Sequence, residues 1–526
     1  MKKRLLTSIL AASLLATSFA ACTPSESSTS TPSDNSSQSE SDSKEPITLS
    51  MFIDHTWFWF DKWGDDFISQ EITKLTGVSL DVTRATDGNQ LALLINGGDL
   101  PDLVYTGTLN TMNLLSDPEI CYSYNELIDK YKVDIFANET EIANNTAADG
   151  NYYCLLNAYT SEESARNGES LTGPGTRSIA YRTDIYEELG SPDINTLEDL
   201  ENVLLAAKEK HPDIIPLLVS PGYEWYFADQ LGLNGGSSIG YDKDGKPCYS
   251  LDMEGIKDYY ALLNRFAREG LITAESFTYS NDQFIEVRNS GKSFMQLRSC
   301  DEAIGANNAA KETGSGYQWK LLTNELSDKM VYVNTGVGFS GVFITKNNKD
   351  PQRSIEFMSW CRSEEGRKLT AWGREGIDWE YNDEGKTVYT EEYNKAIAEG
   401  KQKQNDFGIG VWIFGDRGDE NAFVDYGATD PDQKDYIARQ QSAAKNYRAM
   451  PELYFCTPVE GDMLNIWTSL NDMMTSETKK VIFAESEEAF EEAYNNMYQM
   501  AQEMGMAELN QWMEGQLEAY QAKLNQ

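Results

Sequence analysis

Two aromatic clusters carry most of the recognition chemistry this chain offers. HTWFWFDKW (55–63) sets Trp57, Trp59 and Trp63 around Asp61, and PGYEWYF (221–227) sets Tyr223 and Trp225 around Glu224. A sugar ring shows a patch of C–H on one face and hydroxyls at its edge. A site for one needs flat apolar rings with a few oriented carboxylates, amides or guanidinium forks. Trp57 and Trp59 follow an expected strand at its carboxyl end, and strand alternation would put both on one side. Trp372, Trp379 and Trp412 are further aromatics outside any periodic apolar face. Arg298 in FMQLRS (294–299), and Arg374 with Glu375 in WGREG (372–376), are secondary candidates for polar contacts. Each residue also has a plainer use, because aromatic rings fill cores and Arg and Glu form structural or surface ion pairs.

Other chemistries have little to draw on. Only two histidines exist, His55 and His211, and neither lies in an H-E-x-x-H or H-x-H pattern, so a zinc site or a Ser-His-Asp triad lacks its parts. Apart from Cys22, the cysteines (121, 154, 248, 300, 361 and 456) are scattered with no C-x-x-C pair. No disulfide map can be read, and buried free thiols are the expected state. YDKDGKPCYSL (241–251) opens like a calcium loop at Asp242 and Asp244, but the later ligands of an EF-hand are missing, so a hairpin around Asp244-Gly245 is expected and no metal. No G-x-x-x-x-G-K-[ST] loop occurs, and no cofactor is expected. The net charge of −40 argues against nucleic acid and against long-range attraction of anionic lipids or phosphorylated solutes. With 84 acidic residues, some carboxylate pair would fit a glycosidase by chance, so that reading stays a distant alternative and no enzyme is expected.

The elements that would hold these residues begin at ITLSMFI (47–53), whose alternation predicts a strand. A helix follows near 65–75, a second strand in VSLDVT (78–83), a helix in NQLALLIN (89–96) stopped by Gly97 and Gly98, and a third strand in DLVY (102–105). Strand, helix, strand, helix, strand predicts a parallel sheet, and such sheets bind ligands beyond the carboxyl ends of their strands. That places HTWFWFDKW and YTGTLN (105–110) near a site. Thr196 is an expected N-cap for a helix with Leu197, Leu200, Val203, Leu204 and Ala207 on one stripe, and Asp350-Pro351 is another helix start. Near the C-terminus, two amphipathic helices break at Gly505.

The chain opens with Lys2, Lys3 and Arg4, an apolar run from Leu5 to Phe19, then Ala20, Ala21 and Cys22, the layout of a secretory signal peptide. A cysteine directly after small residues resembles the bacterial lipobox, with Phe19 standing where that pattern prefers Leu; the resemblance implies lipidation at Cys22. The run is too short to span a bilayer. Residues 23–45 are almost entirely Ser, Thr, Pro, Asp and Glu and read as a flexible tether.

Three further segments follow one another in a recognisable order. LTGVSLDV (75–82) leads to NGGDLPDLVYTG (96–107); SIAYRTDIYEELGSPDINTLEDLENVLLAAKEKHPDIIPL occupies 178–217; and GVFITKNNKDPQRSIEFMSWCRSEEGRKLTAWGREG occupies 341–376. Together they resemble the family 1 extracellular solute-binding lipoproteins of ABC importers, the sugar-binding type of Gram-positive bacteria. The resemblance implies an α/β, two-lobed, periplasmic-binding-protein-like (type II) fold with a hinged interlobe cleft. It divides the chain into a signal peptide (1–21), a tether (22–46), a first lobe (47–178 plus 340–460) and a second lobe (179–339 plus 461–526). The function it implies is capture of a carbohydrate, an oligosaccharide by preference, and delivery to the transmembrane subunits of a permease. The protein would be a monomer held by lipid on the extracellular face of the cell membrane. A peptide or another polar solute is the alternative ligand.

Overall fold

A computed structural model of the chain describes residues 45–56, 58, 62–168, 172, 175–383, 385, 387–398, 414 and 431–524. Strands β1 (Ile47–Ile53), β2 (Val78–Arg84) and β3 (Leu103–Thr106) run parallel in the order β2-β1-β3, as the alternation of strand and helix predicts. The helix between the first two, Phe67–Thr76, starts because the Asp66 side chain accepts from the Ser69 N–H, and it stops at Gly77 in the left-handed region. The short strand β4 (Cys121–Tyr122) closes the far edge of this sheet, next to a strand that arrives from much later in the chain.

The second sheet gathers β5 (Arg177–Arg182), β6 (Ile215–Val219), β9 (Ser293–Ser299) and β10 (Trp319–Leu321) in the order β10-β5-β9-β6. β6 and β9 are parallel, and β5 runs against β9. Between them, β7 (Ile239–Tyr241) and β8 (Pro247–Tyr249) form the expected hairpin, turned at Gly245. The helix Leu197–Lys210 has the reciprocal capping box of Thr196 and Asp199 and buries Leu200, Val203, Leu204 and Ala207. β11 (Tyr332–Asn334) then leads back to the first sheet, where β12 (Gly341–Thr345) inserts antiparallel between β3 and β4. The helix Pro351–Arg362 starts at the Asp350 cap. β13 (Trp379–Tyr381) and β14 (Thr387–Tyr389) form a hairpin, and β15 (Tyr447–Ala449) pairs with β11.

Each sheet organises its own core. Leu49, Met51, Ile53, Ile68, Leu103, Tyr105 and Ile344 meet around the first, while Leu204, Leu217, Phe227, Leu263, Phe266 and Leu297 meet around the second. The C-terminal helices Gly461–Ile482, Glu487–Glu503 and Met506–Leu524 add Leu470, Phe490, Met497, Leu509 and Met513 to the second core, with Gly505 at the break. The helix Pro431–Lys445 also lies with the second sheet, against β10 and the helix Glu302–Thr313, although its position falls in the stretch 340–460 grouped above with the first lobe. All six cysteines from Cys121 onward are free and buried. No described helix is long and apolar enough to cross a membrane.

Candidate functional site

In the first sheet the strand order reverses between β1 and β3, the position beyond whose carboxyl ends open α/β sheets bind ligands. Asp54 and His55 leave β1 at that point, and Thr106 ends β3. The Asp54 N–H donates to the Tyr105 carbonyl (2.9 Å), and the Thr106 hydroxyl donates to Asp54 Oδ2 (2.9 Å). The other Asp54 oxygen has no donor among the described residues. Burial pushes this carboxyl up from its usual range, and the Thr106 hydrogen bond works against that shift. His55 Nε2 lies 3.0 Å from Ser340 Oγ, at the start of the antiparallel β12. Burial lowers the His55 pKa from 6.5 to about 4, so the imidazole is neutral at pH 7. The ring of Phe339 stacks on it, with centroids 5.4 Å apart and planes 20° from parallel, and Phe339 stays 44% exposed.

The corresponding edge of the second sheet holds another group. Tyr223–Trp225 forms a single 3-10 turn just after β6, and the register of Val219 with Leu297 brings Arg298 of β9 to the same end. Arg298 is held on Glu302 (3.1 Å) and Asn281 and lies 4.9 Å over the Phe284 ring. Trp225 is buried against Tyr259, and its indole N–H donates to the Gly235 carbonyl. Glu224 turns inward: its Oε2 is buried without a hydrogen-bond partner, and burial raises its pKa. Tyr223 is half-buried on the second core. Beside it, Arg177 opens β5 and makes a two-pronged bond to Asp229 at 2.6 and 3.0 Å.

The remaining predicted residues gather beside the helix Phe67–Thr76. Arg374 lies 4.9 Å over the Phe67 ring and binds both oxygens of Asp378. Trp372 and Trp379 meet edge to face at 5.1 Å; Trp379 is 1% exposed and donates its N–H to the Gly373 carbonyl. Glu375 is exposed. Trp63 is buried, donates to Thr73 Oγ1 and meets Phe414 edge to face. Cys22, Trp57, Trp59, Asp61 and Trp412 lie outside the described residues.

The structure thus sorts the predicted residues into a second-sheet group (Tyr223, Glu224, Trp225, Arg298) and a first-sheet group (Trp63, Trp372, Arg374, Glu375, Trp379). It adds Asp54 and Phe339, which the sequence reading passed over, and singles out His55 and Thr106, which that reading placed near a site only as members of HTWFWFDKW and YTGTLN. The available signal was GVGFSG (336–341), a lone aromatic among glycines just ahead of a returning strand. A surface hollow of 610 Å³ on the outer side of the helix Leu197–Lys210 is lined by Asn202, Leu205, Lys208, Glu209 and Glu269. It holds no aromatic ring and lies away from both carboxyl edges. No metal-binding group of His, Cys, Asp or Glu occurs among the described residues.

No family model and no curated protein matches the chain. Solved structures do. An HMO-binding, ABC-transporter-associated solute-binding protein of Bifidobacterium longum infantis is similar over 90% of this chain and 99% of its own, at 15% identity and a TM-score of 0.63. The S. pneumoniae ABC-transporter substrate-binding protein FusA, an EF-hand mutant in complex with fructo-nystose, matches 90% of this chain and 100% of its own at 17% identity and a TM-score of 0.64. The N-glycan transport solute-binding protein NgtS of Streptococcus pneumoniae matches over 90% and 99% at 15% identity and a TM-score of 0.60. The chain has the two-lobed α/β fold of the solute-binding proteins of ABC transporters.

Proposed function

We propose that the chain captures a neutral carbohydrate, an oligosaccharide by preference, and delivers it to the permease of an ABC importer. The observation that carries this reading is the side-chain group at the carboxyl ends of β1 and β3, where the exposed ring of Phe339 lies over His55, next to a half-buried Asp54 one of whose oxygens takes no donor among the described residues. Rings take the C–H face of a sugar, and a carboxylate, an acceptor only, takes its hydroxyls. The neutral His55 adds no charge, and two cations beside the predicted residues are paired, Arg374 with Asp378 and Arg177 with Asp229. The similar structures are described by carbohydrates: HMO, fructo-nystose and N-glycan.

In this reading the lobes close on a ligand that contacts both, so binding shifts the population toward a closed form that the permease takes up. No covalent step is needed. Lipid at Cys22 would hold the monomer on the outer face of the membrane, with 22–46 as its tether. Trp57, Trp59, Asp61 and Tyr223 belong to the proposed ligand surface.

Thermal melting of the protein against kestose, maltotriose, Man5GlcNAc, short peptides and polyols tests the reading. A ligand at a hundred times its dissociation constant adds about 2.7 kcal/mol. A shift with a sugar and no hydrolysis products is the expected result. A shift with peptides alone, or turnover of a glycan, would overturn it.

A further inference from the structure

The chain passes between the two sheets at a crossing through Asn157, ahead of β5, and at another through Ser340, ahead of β12. Near the C-terminus, side chains alone join the same two bodies. The helix Met506–Leu524 is seated on the second core by Met506, Leu509 and Met513. Its Tyr520, 7% exposed, donates its hydroxyl to Asn144 Oδ1 (3.2 Å), on a residue 4% exposed and 376 positions away. The helix that carries Asn144, Glu139–Asn145, is fixed to the first core by Ile142 and by the buried pair of Glu141 and Arg362. The short helix Pro451–Phe455 supports the contact and is divided residue by residue. Leu453 lies in the second core, Tyr454 packs on the first-sheet cluster of Phe52, Val104 and Phe343, and Phe455 stacks on Tyr520 at 4.7 Å.

We infer that Tyr520 and Asn144 form a latch that holds the lobes in the arrangement seen here and sets, from outside the ligand surface, how readily they close. The inference rests on the carbohydrate reading, in which closure accompanies binding. Each partner is mounted on the packed body of a different lobe, so the bond distance follows the lobes and not the side chains alone. A hydrogen bond of 3.2 Å is lost when its atoms part by roughly half an ångström, and hinge closure moves one lobe against the other. In this arrangement the carboxyl edges of the two sheets are not joined: among the described residues no hydrogen bond or ion pair runs from Asp54 or Thr106 to Tyr223, Glu224 or Arg298. The latch therefore stabilises the form in which the edges stand apart, and closing gives up its bond and shifts Tyr454 on the first-sheet cluster. Apparent affinity is the intrinsic affinity scaled by the fraction of protein in the competent form, so residues that touch no ligand tune it.

The test uses the full chain and calorimetric titration with kestose, maltotriose and Man5GlcNAc, comparing wild type with Tyr520→Phe, Asn144→Ala and the control Tyr498→Phe. The control removes a tyrosine hydroxyl bonded to Asp252 (2.7 Å) within the second lobe. Tyr520→Phe and Asn144→Ala are expected to raise affinity for the sugar that wild type binds by about two- to fivefold, the equilibrium value of one hydrogen bond, while Tyr498→Phe leaves it unchanged. Affinity unchanged or lowered in both latch variants, or raised as much by Tyr498→Phe, overturns the latch. A readout that needs no ligand is the distance between spin labels at Leu93→Cys and Leu205→Cys, exposed positions on the first and second lobes, measured by pulsed electron resonance. Its distribution is expected to widen in Tyr520→Phe. If wild type binds none of the sugars, the carbohydrate reading fails and this distribution decides the latch by itself: an unchanged one overturns it.

Discussion

Asn157 and Ser340 hold each other from both sides: the Asn157 N–H donates to the Ser340 carbonyl at 2.8 Å, and the Ser340 N–H donates to Asn157 Oδ1 at 3.0 Å. The side-chain amide of Asn157 also donates to the Tyr105 hydroxyl at 3.0 Å, joining the crossings to β3. All of these groups are buried, so Asn157→Ala leaves the Ser340 N–H without its acceptor. The cost expected is about 1–3 kcal/mol, read as a lower midpoint in urea with an unchanged slope. A midpoint equal to that of wild type would show that the side chain does not hold the crossover.

A second anchor is the pair of Arg177 and Asp229. Burial pushes the Asp229 carboxyl up from 3.8 to about 6, still below neutrality, so the pair is ionic at pH 7. Asp229 is 2% exposed, and Arg177 lies 4.9 Å over the ring of Tyr332 in β11. Asp229→Asn therefore strands a largely buried guanidinium at the root of the returning segment, with an expected loss of about 3–5 kcal/mol in denaturant unfolding. A loss below about 1 kcal/mol would mean that water or Tyr332 already satisfies Arg177.

The neutral His55 gives a pH dependence with a definite sign. Its folded pKa of about 4 lies below the ordinary 6.5, so its contribution to stability is full above pH 6.5 and is lost as pH falls through 4. Asp54 contributes with the opposite sign, because burial raises its folded pKa. The measurement is therefore a comparison. The melting temperature of wild type should fall more steeply between pH 6.5 and 4 than that of His55→Gln. Parallel curves would show that His55 is not held neutral by the fold.

Helix ends and the first strands could be read locally. Thr196 with Asp199, Asp350 with Pro351, and Gly505 each act within a few residues, so their chemistry is visible in the sequence. The pairing at the end of β1 could not be read that way, because His55 and Ser340 meet across 285 positions and no local pattern records the meeting. Side-chain direction was also hidden. The sequence marks Trp225 and Trp379 as aromatic, yet both turn inward and place their N–H on the carbonyls of Gly235 and Gly373, contacts that depend on how two turns fold back. The same limit applies to the helix Pro431–Lys445: its Arg439 is buried against Glu325, Ser178 and the Arg177 carbonyl, partners set by the second sheet and not by sequence neighbours.

The C-terminal helix makes one contact that runs between the sheets' territories. Met506–Leu524 packs chiefly on β8 and the second core, yet near its end the Tyr520 hydroxyl meets Asn144 Oδ1 at 3.2 Å, on the helix Glu139–Asn145. That helix belongs with the first core, where Glu141 pairs with Arg362 of the helix Pro351–Arg362. Tyr520 is also stacked on Phe455 at 4.7 Å, so Tyr520→Phe removes the hydroxyl and keeps the ring in place. The single change should cost about 1 kcal/mol, and Asn144→Ala a similar amount. If the hydrogen bond is the shared cause, the double variant should cost less than the sum, with a coupling of about 0.5–1 kcal/mol in a double-mutant cycle. Additive losses would mean that the two residues act separately and that the helix end does not tie the second lobe to the first.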